Sequence, residues 1–165
     1  MTRLNDFLFR IEKAATLFFC VLMCSIVMAE VAWRYLLGTT VMVGVQEFAK
    51  WSYIWMVNMA CAALFYKKMH IAVEYFMKTF CPLKMQDIIC LLTTVFLALS
   101  LIAIIISGFP FAIDQWQMRA TSADIPKTFP FLSVPVAFSF MLIHSIMHIK
   151  EILARIFSAK RSKEN

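Results

Sequence analysis

Residues 85–109 read MQDIICLLTTVFLALSLIAIIISGF, and beyond Asp87 the run to Phe109 contains no charged side chain. A bilayer core takes about 20 helical residues to cross. The run is long enough, and it lacks the alternation a strand would show. With no water to satisfy backbone groups in lipid, such a run must be a helix. Three further stretches meet the same test: about Ala14–Leu37, Val45–Phe65 and Leu132–Phe157.

Composition agrees. Of 165 residues, 62% are hydrophobic, and the mean hydropathy is +0.77. A soluble domain is about half apolar, so this excess indicates lipid as the solvent. Only 3 glycines and 5 prolines are present, which leaves little material for linkers and favours long helices in one domain, 1–165. The first apolar run exceeds the h-region of a signal peptide and lacks a small-residue cleavage site after it, so it is expected to be retained.

The net charge of +6 does not indicate nucleic acid, because the basic residues fall between apolar runs instead of forming a patch. They orient the chain. Arg3, Arg10 and Lys13 precede the first run; Lys67, Lys68, Lys78 and Lys84 lie between the second and third; Lys150, Arg155, Lys160, Arg161 and Lys163 close the chain. The other connections hold only Arg119 and Lys127, with Arg34 and Lys50 near helix ends. The excess of positive charge on cytoplasmic loops then places both termini inside. Trp33, Tyr35, Trp51, Tyr53 and Trp55 gather near the outer ends of the first two spans, where amphipathic rings prefer to sit. The short connection Gly38–Gly44 makes those two helices antiparallel neighbours.

Between the second and third spans, His70, Glu74 and Lys78 recur at helical spacing while Ile71, Val73, Phe76, Met77 and Phe80 fill the other faces. This pattern predicts a short amphipathic helix over about 68–81, lying in the cytoplasmic interface and ended by Pro82. The connection 110–131, with Asp114, Arg119, Ser122, Asp124 and Lys127 between prolines, is expected to be the main exposed surface on the outer side.

Ionisable groups at membrane depth need a partner or a purpose. Glu30 and Arg34 stand four apart with the acid first, the favourable order for a same-face ion pair; the alternative is that Glu30 serves a stand-alone four-helix proton-coupled exporter. Glu47 and Lys50 can pair at i, i+3. Asn58, followed by Ala60, Cys61, Ala62 and Ala63, suits a close helix interface better than an ion site. His144 and His148 stand at i, i+4 without a facing histidine, so haem or metal ligation is not expected. The five cysteines form no CxxC and are expected to be reduced, small apolar residues. Nothing pairs a nucleophile with a base or cradles a phosphate, so an enzyme is not expected, and neither is a cofactor.

These residues also carry a family resemblance. Arg34-Tyr35, then Gln46-Glu47-Phe48-Ala49-Lys50-Trp51, then Trp55, then His70-Ile71-Ala72-Val73-Glu74, and finally Ser122-Ala123-Asp124-Ile125-Pro126 together resemble the small, four-helix membrane subunit of TRAP (tripartite ATP-independent periplasmic) transporters. The resemblance covers nearly the whole chain, in order. It implies a non-enzymatic subunit of the bacterial inner membrane. Its partners would be a large elevator-type membrane subunit, a periplasmic substrate-binding protein and membrane lipids. The cargo would be an organic anion of sialic acid or C4-dicarboxylate type, driven by sodium, and the small subunit would brace the static part of the large one. Within that reading Arg34, Glu47, Lys50, Trp51 and Asn58 are expected either at the large-subunit interface or in a structural helix interface. His70 and Glu74 are expected to hold the interfacial helix, and Arg119, Asp124 and Lys127 to touch the binding protein.

Overall fold

The computed structural model describes residues 2–38, 43–80, 83–119 and 126–164, with side chains over 5–38, 44–66, 89–119 and 126–154. Four long helices make up the described chain: α1 (Thr2–Leu37), α2 (Val43–Phe80), α3 (Leu83–Asp114) and α4 (Thr128–Glu164), with a 3₁₀ turn at Gln115–Gln117 after α3. No strand occurs among the described residues. α1, α3 and α4 contain spans long and apolar enough to cross a membrane, at Asn5–Leu37, Ile89–Gln117 and Thr128–Ala154.

Each helix outruns the apolar stretch that announces it. α1 begins at Thr2, well before Ala14, because Asn5, Asp6, Arg10 and Glu12 tolerate helical geometry even though they add no hydrophobicity. It stops at Gly38, whose φ of +65° is the left-handed cap that residues with a Cβ rarely adopt. The Gly38 N–H closes the end on the Arg34 carbonyl at 3.2 Å. α2 runs unbroken through the region expected to form a separate interfacial helix; 68–80 are its last turns. The side chains of 67–88, His70 and Glu74 among them, lie outside the described residues.

Pro110 does not end α3, which continues to Asp114, and Pro135 sits inside α4. A proline removes one backbone hydrogen bond, a loss that membrane helices absorb through neighbouring helices and hydroxyl groups. The segment expected as a loop over 110–131 is therefore mostly helix, and the connection shortens to the residues between the 3₁₀ turn and Thr128. Its ends are pinned: the Lys127 N–H donates to the Met118 carbonyl at 2.9 Å, and Arg119 bridges Pro126.

α1 packs along α2, α3 along α4, and α2 meets α4 in the middle, while α2 and α3 barely touch. The bundle is thus two antiparallel hairpins joined through α2 and α4. Its interior is small: Ala62, Ala98, Ala112 and Ala137 are buried, whereas Phe18, Met28, Tyr35, Leu92, Phe96 and Ile106 point outward. That inversion suits lipid, where helices associate by close backbone approach and large side chains lose nothing by facing outward. Gly108 makes one such approach; a Cβ there would lie 3.4 Å from Pro135 Cβ. Several hydroxyls bond back within their own helices, as when Ser52, Thr94, Ser100 and Ser139 donate to the Phe48, Cys90, Phe96 and Pro135 carbonyls.

Candidate functional site

Polar side chains cross between helices at two levels. Near the α1–α2 connection, the Gln46 amide donates to Glu30 Oε1, tying α2 to α1. Glu30 thereby takes a partner from the opposite helix. Among the described residues no ion pair joins it to Arg34, nor Glu47 to Lys50; Arg34 and Lys50 are exposed and Glu47 half-buried. The i, i+4 spacing allowed the first pair, but a short amide from the neighbouring helix reaches the carboxylate instead.

Deeper, Trp55 lies between rings. It stacks on Phe19 of α1 (centroids 5.5 Å, 23°) and tilts against Phe129 of α4 (5.4 Å). Its indole N–H donates to the Phe129 carbonyl at 3.1 Å. Trp51, one turn earlier, is 6% exposed and packs against Phe48 and Phe129. One further turn along α2, the Asn58 amide donates to Ser133 Oγ at 3.0 Å and to its own Ile54 carbonyl at 2.9 Å. Trp51, Trp55 and Asn58 therefore form one seam, and that seam faces the chain's own α4.

The second level lies at the opposite end. His144 of α4 places Nδ1 3.0 Å from Asn5 Oδ1 and Nε2 2.9 Å from Glu12 Oε1, both on α1. Tyr66 of α2 stacks on the imidazole (5.1 Å, 29°), and its hydroxyl donates to Asp6 at 3.3 Å. Both His144 nitrogens are thus occupied by protein oxygens, leaving neither ring position directed at a metal. Asn5 and Glu12 were not singled out by the sequence. Both sit among charged residues of an apparently solvated tail, and only their seven-residue spacing, two helical turns, hints at a shared face.

Grooves on the bundle are walled by carbon. Two on the α2 side, of about 370 and 470 Å³, are lined by Phe48, Trp51, Trp116, Phe129 and Leu132 in one case and by Met23, Val27, Tyr53 and Ile54 with the Lys50 stem in the other. Such grooves accept acyl chains or apolar side chains, not an organic anion. Arg119 is exposed and Lys127 half-buried at the ends of the α3–α4 connection; Asp124, between them, lies outside the described residues.

The family description "Tripartite ATP-independent periplasmic transporters, DctQ component" matches residues 11–155. The chain belongs to the DctQ family. It is the small membrane component of a TRAP transporter, and the resemblance read from the sequence holds. No curated protein matches the chain. A DctQ component is one part of a tripartite transporter that also contains a large membrane subunit and a binding protein, and it is a transporter component rather than an enzyme. The seam of Trp51, Trp55 and Asn58 and the His144 cluster are then internal braces of this DctQ component.

Proposed function

We propose that this DctQ component is the rigid brace of a sodium-driven importer, packing on the static domain of the large elevator-type subunit. The cargo is an organic anion, of sialic acid or C4-dicarboxylate type, delivered by the periplasmic binding protein. The observation that carries the reading is how polar groups are used. Glu30, Gln46, Trp55, Asn58, Ser133 and His144 all bond to residues of the chain itself, while the outer faces of α1 and α3 present large apolar side chains. Such a molecule holds another still; the grooves among its described residues are apolar.

In this reading all four helices span the bacterial inner membrane with both termini in the cytoplasm. α2 contributes its uncharged segment 51–66, and its last turns lie in the cytoplasmic interface, with His70 and Glu74 holding them there. Arg34, Glu47 and Lys50, which make no ion pairs with one another, are available to the large subunit. Arg119, Asp124 and Lys127 face the binding protein.

Reconstitution tests it. Liposomes holding this chain alone should not accumulate anion under a sodium gradient, and adding the large subunit and binding protein should give uptake. Uptake by the lone chain, or full uptake by the large subunit without it, would refute the proposal.

A further inference from the structure

We propose that Glu12 and His144 form a buried proton-binding site, and that the bound proton clasps α1 to α4. The reasoning is hydrogen-bond accounting and goes beyond the bracing role. A neutral imidazole has one N–H and one lone pair. Asn5 Oδ1 can only accept, so Nδ1 of His144 carries a hydrogen at 3.0 Å. Nε2 then meets Glu12 Oε1 at 2.9 Å. It does so either as the second N–H of an imidazolium against a carboxylate, or as a lone pair accepting from a carboxylic O–H. Both descriptions contain the same proton between Nε2 and Oε1, and both leave the pair without net charge.

Removing that proton sets a lone pair against a carboxylate oxygen. The contact recovers only if Asn5 turns its amide to donate to Nδ1 and the ring hydrogen moves to Nε2. A net negative charge would then remain on Glu12, whose side chain is 0% exposed and whose Oε2 has no hydrogen-bond partner. An uncompensated buried charge of this kind is costly.

Among the described residues no second cation is placed against Glu12 to relieve it. On α1, Arg10 and Lys13 are exposed, and Asp6 is engaged with Tyr66. On α2, Tyr66 covers the ring face. On α4, His148 and Glu151 follow one and two turns on. α3 has no charged residue over 89–113. Among the described residues the proton is the compensating charge.

The test uses the full-length chain in lipid nanodiscs. At pH 7, nitrogen NMR of His144 with infrared detection of the Glu12 carboxyl should show one shared proton: a doubly protonated ring beside a carboxylate, or a singly protonated ring beside a carboxylic acid. A singly protonated ring beside an ionised Glu12 overturns the proposal. Because the folded chain keeps a proton that the unfolded chain releases, stability should fall as pH rises. The melting temperature should drop by about 4 °C or more between pH 6 and pH 9. In Glu12→Gln, whose amide donates permanently to Nε2, this dependence should vanish; an equal slope in both proteins also overturns it. If Glu12→Gln does not fold, the two spectra of the unaltered chain decide alone.

Discussion

Asn58 of α2 hands a hydrogen bond to Ser133 of α4 at 3.0 Å, and Ser133 passes its own hydrogen to the Pro130 carbonyl at 2.7 Å. The relay joins the two central helices near the start of α4, with the Ser133 hydroxyl bonding back to a carbonyl of its own helix. Interhelical hydrogen bonds in membrane proteins contribute about 0.6 kcal/mol on average and up to about 1.7. A double-mutant cycle on Asn58→Ala and Ser133→Ala should return a coupling in that range when unfolding is followed in mixed micelles. Additive effects within about 0.3 kcal/mol would mean the relay does not bind the helices together.

Trp55 separates a hydrogen bond from a ring stack. Trp55→Phe keeps a ring between Phe19 and Phe129 and removes only the donor to the Phe129 carbonyl. It should cost about 1 kcal/mol, whereas Trp55→Ala, which also empties the slot, should cost about 3 kcal/mol. Thermal unfolding of the two variants measures the difference. Equal losses would show that the indole N–H, not the ring, does the joining.

How much of this could be read in advance follows the range of each interaction. The α1, α3 and α4 spans announce themselves because each apolar run is self-contained, and every hydrophobic residue votes in the same window. The α1–α2 and α3–α4 ends are less visible. Pro110 resembles a stop signal, yet the helix persists to Asp114 because packing outweighs one lost hydrogen bond. Asn58 was legible as an interface residue from the alanines that follow it, though its partner Ser133 was not. Glu30 was paired by spacing with Arg34, because the competing Gln46 arrives from another helix. Glu12 was invisible: its meaning depends wholly on His144, 132 positions away, and on a ring of α2 that covers that imidazole. Local periodicity finds helices; partners across the bundle need the bundle.

Gly108 reports the closeness of α3 to α4. A Cβ at 3.4 Å from Pro135 is at the edge of ordinary contact, so Gly108→Ala should fold as well as the parent and gain up to about 1 kcal/mol of helix propensity. Gly108→Leu has nowhere to put its branch and should lose about 1–3 kcal/mol by overpacking. Melting curves rank the three. A leucine variant as stable as the alanine one would mean that the helices separate freely there.

Glu47 distinguishes folding from assembly. It is half-buried and makes no ion pair with Lys50, so Glu47→Gln should change the stability of the isolated chain by less than about 0.5 kcal/mol. If it faces the large subunit, the same change should lower co-purification of that subunit several-fold. Loss of stability without loss of assembly would return Glu47 to a purely internal role.

Lys127 tests the proposed surface for the binding protein. Its backbone N–H, not its side chain, holds the connection by bonding to the Met118 carbonyl at 2.9 Å. Reversing the side-chain charge should therefore leave the fold intact. Exposed charge pairs contribute about 0.2–1 kcal/mol, so Lys127→Glu should raise the binding-protein concentration for half-maximal uptake by about threefold. Rim charges act mainly through encounter rate and are screened by salt. The defect should accordingly shrink as ionic strength rises, while uptake at saturating binding protein stays near the parental value. A maximal rate reduced at every salt concentration would instead place Lys127 against the large subunit, and no change at all would remove it from both surfaces.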